Sequence, residues 1–361
     1  MNLIMSSPYL KLGSTVGILG GGQLGRMISM ACSELGYRSL IYCPEGDNPA
    51  VEVSSEKIIG NWNDDELIKK FISSVDAVTL EFENIPIRTI KKVEKHFTVF
   101  PNSKVLEIAQ YRPFEKKYAK DAGIKVPRWW LINSKQELVN AIFQLDGPGI
   151  LKTTSLGYDG KGQFKILGNE KIEDIWSKIE SNEVILEEFI DFKTEVSFLI
   201  CRKNNNEICI FPPTENIHQN GILQKSKAPA ELPEEIWLSG AAHISRLADK
   251  LSLNGLMAVE FFLLDNGELV FNEIAPRPHN SFHWTMDGLL SSQFNQLIRC
   301  VVGMPFGNVS IINKWEMINI LSENYQDIPN YILDNNSKIY IYNKQSIKTK
   351  RKLGHINRLL S

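Results

Sequence analysis

Apolar positions along the chain alternate between strand-like runs and segments of helical period. TVGILG, residues 15–20, is a short β-prone run that opens into a glycine loop. Leu24, Met27, Ile28, Ala31 and Leu35 then recur at helical spacing, Gly36 ends that helix, and RSLIYC resumes a strand. VDAVTLEFEN, residues 75–84, reads as another buried strand running into acidic residues. Residues 1–110 therefore predict an open, mostly parallel α/β sheet.

The pattern changes after Pro127. GILKTTSLGYDGKGQFKIL reads as a hairpin around a glycine-rich turn, and EVILEEFID as a strand. TEVSFLICRKNNNEICIFP predicts two strands paired across the KNNN turn. A helix is expected over about Glu234–Leu251, then two strands in GLMAVEFFLLDNGELVFNEIAP, turning at Asp265–Gly267. KIYIYNK and KTKRKLGHI supply short strands near the end. The whole reads as α/β followed by α+β, with no internal repeat or low-complexity tract.

Composition narrows the function classes. The chain has 361 residues, enough for two or three domains, and a formal net charge of −2 with 23% charged residues. No basic stripe marks a nucleic-acid binder, although Lys348 to Lys352 form a local cluster. The five cysteines show no C-x-x-C, so neither a zinc ribbon nor a disulfide framework is indicated. Reduced thiols in a cytoplasmic protein fit this usage. No apolar run reaches the roughly 18 residues of a membrane span, and the first residues make a poor signal peptide.

Four stretches carry chemistry. Gly20, Gly22 and Gly25 form a G-x-G-x-x-G whose helix N-terminus favours an anion. A dinucleotide site also wants an acid near Cys43, where the nearest, Glu45, lies beyond Pro44. Dinucleotide, another phosphorylated ligand and a structural turn all stay open for this loop. The second stretch is LKTTSLGYDGKGQ, where Lys152 precedes Gly157, Gly160 and Gly162; freed backbone N–H groups there suit phosphates, although it is not a P-loop. The third, EEFIDFKTE, reads as a solvated edge or as a hinge for an adenine and a ribose.

The fourth is the pair AVEFF and FNEIAPRPHNSFHWT. Glu260 and Glu273 sit on strands joined by a short turn and can face one point from both sides of a hairpin. Mg²⁺ is bound by one or two carboxylates together with nucleotide phosphates. Arg277, His279, Asn280 and His283 follow in a proline-punctuated loop. Zinc is the competing metal, but no H-x-x-x-H supports it.

Taken in order, these stretches resemble the ATP-grasp superfamily and, within it, the 5-(carboxyamino)imidazole ribonucleotide synthase family of purine biosynthesis. The likeness runs from Thr15 to Asn357. It is carried by GILGGGQLGRM, EFEN, SLGYDGKGQ, ENIHQNGI, NEIAPRPHNS and RKLGHIN. It implies a Rossmann-like pre-ATP-grasp domain over 1–110 and a two-part ATP-grasp domain over 111–305. The nucleotide-covering subdomain would span about 125–190, and a small β-rich domain would span 306–361.

The resemblance also implies site residues. Arg112 and Lys152 would meet the phosphates of ATP, with Gly157, Tyr158, Asp159, Gly160, Lys161, Gly162 and Gln163 closing above. Glu187, Glu188, Phe189 and Ile190 would form the adenine hinge, Glu195 would take the ribose, and His218 and Asn272 would complete the pocket. Glu260 and Glu273 would hold Mg²⁺. Gln23, Leu24, Glu81, Tyr158 and Asp159 would lie at the aminoimidazole ribonucleotide, with Lys344 and Arg351 on its phosphate. On that reading the opening loop receives the ribonucleotide and no dinucleotide. Arg277, His279 and Asn280 would surround bicarbonate and the carboxyphosphate made from it. A homodimer is implied as well.

The chain departs from the family pattern at Phe282 and Lys350, where glycine is usual, and at Tyr111, where an acid is common. Phe282 therefore raises the expectation of a differently shaped bicarbonate loop. The rival readings are a nicotinamide-dependent oxidoreductase, a non-catalytic nucleotide sensor and a formate-using glycinamide ribonucleotide transformylase.

Overall fold

In the computed structural model, residues 9–155, 163–167, 171–177, 183–345 and 348–360 are described. Three sheets organise them. The first holds five parallel strands in the order Glu56–Ile59, Arg38–Cys43, Thr15–Leu19, Ala77–Leu80, Val99–Phe100. Chain order reverses direction at the Thr15–Leu19 strand, the topology of a doubly wound sheet whose ligand crevice opens at that switch. The helix Gln23–Glu34 follows the glycine loop as the periodicity predicts. The strand expected over 75–84 is shorter, Ala77–Leu80, and its acidic continuation turns out of the sheet.

The second sheet is antiparallel: Trp129–Ile132, Val184–Glu188, Gly149–Thr153 and Gln163–Ile166. It carries Lys152 opposite Gln163.

The third sheet is the largest, with nine strands. Its main path runs Leu269–Ala275, Gly255–Leu263, Thr194–Arg202, Thr214–Gln219, Ile222–Ala228, Lys314–Leu321, Lys352–Leu360, Ser337–Ile341. Ile208–Ile210 pairs with Thr194–Arg202 across the Asn-rich turn. The C-terminal strands are thus continuous with the central sheet: Lys314–Leu321 pairs directly with Ile222–Ala228.

One apolar core joins the first sheet to the third. Met27 and Ile28 from the first helix share it with Leu199, Trp284, Phe294, Leu297 and Ile298. Each such buried side chain contributes about 1.5–3 kcal/mol relative to exposure, so the glycine loop is held at a fixed place against the central sheet. No helix among the described residues is long and apolar enough to cross a membrane.

Candidate active site

The hairpin of the third sheet builds the centre of the site. Glu260 and Glu273 are direct cross-strand partners. Beyond a bulge the register changes, so that Phe261 faces Phe271. Asn272 is the extra residue, and its Nδ2 still reaches Glu260 Oε2 at 3.4 Å. Burial, then the neighbouring Glu273, push the Glu260 carboxyl up to about 8. Two facing carboxylates with a carboxamide beside them are an oxygen donor set suited to a hard divalent cation. Among the described residues, no cluster of three or more His, Cys, Asp or Glu side chains is arranged to hold a metal unaided. An ion here would share its shell with a ligand's oxygens.

Cations line one side. Arg112 opens the helix Arg112–Asp121 and sets Nη1 3.3 Å from Glu273 Oε2. Lys152 and Lys116 both contact Glu187 Oε2, at 2.9 Å and 3.1 Å. All three of these last side chains are buried. Burial alone would raise the Glu187 carboxyl; Lys116 and Lys152 overcome it and hold it down at about 2. The Glu187 side chain is thereby a lysine anchor, whatever its main chain does at the hinge. Lys116 was not visible as a candidate, yet Arg112, Glu115 and Lys116 share a helix face at i, i+3 and i+4. Glu115 Oε1 accepts the Ile274 N–H at 3.1 Å, tying that helix to the strand that carries Glu273.

At the proposed hinge, the Glu188 N–H donates to the Arg128 carbonyl and the Phe189 N–H to the Pro148 carbonyl, at 2.9 and 3.0 Å. The Glu188 carboxylate takes Arg128 Nε at 3.1 Å, so it faces the subdomain surface. Glu195 Oε1 lies 3.1 Å from His218 Nδ1. Burial would lower that imidazole, but Glu195 raises it. Gly157, Tyr158, Asp159, Gly160, Lys161 and Gly162 lie outside the described residues.

The proline-punctuated loop flanks the carboxylates. Arg277 Nη2 donates to Glu83 Oε1 at 2.9 Å, and its Nε bonds Glu83 Oε2. Burial works against the charge on Arg277, and Glu83 overcomes it. His279 Nε2 lies 3.4 Å from Glu260 Oε1. Burial, and then Arg277, hold the His279 imidazole well below its ordinary value, so it is neutral at physiological pH. The buried Asn280 Oδ1 and Nδ2 have no partner among the described residues. Glu83, within the EFEN motif, is a second site residue beside Lys116 that the sequence does not single out.

The opening loop holds a carboxylate of the protein itself. Its Gly22 and Gly25 N–H groups donate to the two oxygens of Glu81, at 2.8 and 3.2 Å. A Cβ on Gly20 would fall 2.5 Å from Glu81 Cγ, and one on Gly22 would fall 2.8 Å from Oε1. The glycines make room for a carboxylate of the protein, so the Gly22 and Gly25 N–H groups of the loop are engaged by Glu81. Gln23 and Leu24 begin the helix just past it.

Lys344 lies near enough to Arg351 for their charges to interact. Arg351 Nη1 pairs with Asp47 Oδ2 at 2.7 Å. Burial, then Arg351 and Lys352, push Lys344 down to about 8, while Glu81 and Asp47 oppose this. The glycine loop and this cation group therefore bracket one region.

The departures from the family pattern also resolve. Phe282 is fully buried, its ring 6.4 Å from Phe211 in the main core, so it points away from the site. Lys350 takes the left-handed conformation with φ of +61°. Tyr111 precedes the Arg112 helix and stacks edge-on against Phe114 at 4.7 Å.

Comparisons with known proteins identify the family. The ribonucleotide synthetase preATP-grasp domain matches residues 13–110, the ATP-grasp domain 117–294, and the phosphoribosylaminoimidazole carboxylase C-terminal domain 316–361. The N5-carboxyaminoimidazole ribonucleotide synthase of Bacillus subtilis is 39% identical over 98% of this chain and 93% of its own length. That of Brucella melitensis is 36% identical over 98% of this chain and 99% of its own. The crystal structure of the Staphylococcus aureus N5-carboxyaminoimidazole synthetase complexed with ADP superposes with a TM-score of 0.93 at 33% identity, covering 98% and 95% of the two chains. The chain belongs to the N5-carboxyaminoimidazole ribonucleotide synthase family of ATP-grasp enzymes.

Proposed function

We propose that this enzyme carboxylates 5-aminoimidazole ribonucleotide with bicarbonate in an ATP-dependent reaction, giving 5-(carboxyamino)imidazole ribonucleotide, ADP and phosphate in purine biosynthesis. The observation that carries this reading is the facing pair Glu260 and Glu273, set between the cations Arg112, Lys116 and Lys152 and the loop Arg277–Asn280.

Bicarbonate is a poor electrophile. Attack of its oxygen on the γ-phosphorus forms a P–O bond, breaks the bond to the β-phosphate oxygen and releases ADP. The product, carboxyphosphate, is a mixed anhydride. The exocyclic amine of the ribonucleotide then gains the carboxyl group, directly or through released CO₂, loses a proton, and phosphate departs. Phosphoryl transfer of this kind depends on positioning and charge neutralisation.

Glu260 and Glu273 would hold Mg²⁺, which supplies charge neutralisation at the phosphates. Lys152 and Lys116, anchored by Glu187, and Arg112, beside Glu273, hold the phosphate oxygens. The Glu188 carbonyl and the Ile190 N–H offer the adenine its main-chain contacts, since the Glu188 and Phe189 N–H groups already bond within the sheet. Glu195 and His218 serve the ribose side, with Asn272 completing the pocket. Arg277, His279 and Asn280 receive bicarbonate: Arg277 balances its charge, and the neutral His279 donates or accepts a hydrogen bond. Lys344 and Arg351 hold the ribonucleotide phosphate, with Gln23 and Leu24 at its ring. Tyr158 and Asp159, in the loop Gly157–Gln163, cover the intermediate from water.

The enzyme acts in the cytoplasm, a reading supported by five cysteines that are all unpaired. A homodimer is the assembly that the family resemblance implies. The test is phosphate release from ATP in the presence of Mg²⁺. It requires both the ribonucleotide and bicarbonate, and formate does not replace bicarbonate. Equal release without either substrate, or with formate in place of bicarbonate, refutes the assignment.

A further inference from the structure

We infer that Gln293 is the positioning residue for His279. The inference rests on the reading of Arg277, His279 and Asn280 as the bicarbonate group. His279 lies in a segment where Pro276 and Pro278 carry no N–H, so a regular ladder cannot fix the backbone there. The side chain of Gln293 supplies the missing pair of bonds. Its Oε1 accepts the His279 N–H at 2.8 Å, and its Nε2 donates to the His279 carbonyl at 2.9 Å. One carboxamide thus grips both main-chain groups of one residue, as a neighbouring strand would in an antiparallel pair.

The grip is rigid from behind. Gln293 is fully buried and begins the helix Gln293–Val302, which Ser292 caps through the Asn295 N–H. Phe294, Leu297 and Ile298 root that helix in the main core. The Gln293 N–H donates to Thr285 Oγ1 at 3.1 Å, and Thr285 Oγ1 donates to the Phe282 carbonyl at 2.6 Å. Gln293 Nε2 also lies 3.0 Å from His283 Nδ1. The His279 ring is left with Nε2 toward Glu260 and a buried Nδ1 that has no partner among the described residues. Its aim is therefore set through its backbone, by a group that must both donate and accept. A glutamate at 293 would set an oxygen against the His279 carbonyl; a methionine would fill the space with neither bond.

The experiment uses the full-length protein with Gln293→Met and Gln293→Glu. ATP, ribonucleotide and bicarbonate are varied in turn, thermal melts are recorded, and the histidines carry a ¹³Cε1 label, with His279→Asn assigning the His279 signal. Both variants are expected to lower kcat/KM for bicarbonate by about 10- to 100-fold, the scale of a displaced reacting group. KM for ATP and for the ribonucleotide should stay within about twofold on the same argument. The His279 ring signal should broaden or split. An unchanged signal with unchanged bicarbonate kinetics overturns the inference, as does a uniform loss for all three substrates in step with a fallen melting temperature. If the wild-type protein shows no bicarbonate-dependent turnover, the functional reading falls. The ring signal then decides the clamp by itself.

Discussion

Glu83 and Arg277 lie 194 positions apart in sequence and meet in a two-point ion pair between the loop after the Ala77–Leu80 strand and the site loop. The pair occupies the Nε–Nη2 edge of the guanidinium, while Nη1 donates to the Pro278 carbonyl at 3.2 Å. On the proposed reading, bicarbonate would approach through the guanidinium protons that Glu83 does not take. Glu83→Gln keeps the shape and removes the charge from a largely buried pair. It should destabilise the fold by about 2–3 kcal/mol, below the range for fully buried pairs because both groups retain some exposure. It should also lower kcat/KM for bicarbonate by about tenfold as the fork loses its orientation. Denaturant unfolding and steady-state kinetics check the two effects; wild-type values in both would remove any role for the pair.

Glu260 and Glu273 give a prediction of opposite sign for stability and activity. Burial and the facing Glu273 both disfavour the charged form of Glu260 that the unfolded chain adopts, so Glu260→Gln should raise the melting temperature in EDTA. The same change should abolish most Mg²⁺-dependent phosphate release. Glu273→Gln should lose activity too, but gain less stability, because Arg112 at 3.3 Å already offsets its charge. Calorimetry with and without Mg²⁺ separates the terms. Full turnover in both variants would rule out the metal assignment.

Lys344 predicts a pH effect. Its ammonium is pushed down to about 8 by burial and by Arg351 and Lys352. An ordinary lysine titrates near 10.5. The folded state therefore binds fewer protons than the unfolded state between these values, and this group's contribution to stability rises with pH across that window. Function runs the other way, because a phosphate needs the charged form. The free-enzyme profile of kcat/KM for the ribonucleotide should fall as pH rises through about 8. Lys344→Met should lower the plateau and erase that inflection; a profile unchanged by the substitution disproves the assignment.

The two glycine-for-side-chain departures should behave oppositely. Phe282→Gly removes a fully buried ring and should destabilise by about 3–5 kcal/mol. Lys350→Gly relieves a left-handed backbone on an exposed turn and should stabilise by about 1 kcal/mol. Its N–H bond to Glu323 Oε1 at 2.7 Å is untouched by the change. Urea unfolding of both variants tests the pair, and the same sign for both would contradict it.

Much of this was legible because local chemistry carries it. The Asp265–Gly267 turn between two period-2 runs marks the hairpin that carries Glu260 and Glu273, and helical spacing marks Gln23–Glu34. The bulge at Asn272 was not legible: an uninterrupted register would have set Glu260 against Asn272, and no residue type announces an inserted position. Ion pairs such as Glu83 with Arg277, or Arg351 with Asp47, join distant segments, so no sequence window contains both partners. The glycine loop marks a helix N-terminus that favours an anion, with a structural turn left open. Only the fold reveals that Glu81 reaches its N–H groups.

That occupancy bears on how the enzyme would be inhibited selectively. In dinucleotide enzymes this loop is a shared liability, since a pyrophosphate mimic fits many of them. Here such a compound would have to evict a buried carboxylate held by two main-chain donors, so generic nicotinamide analogues should be poor ligands. Selective chemistry against this protein would instead spare the glycine loop and present an acidic group to Lys344 and Arg351.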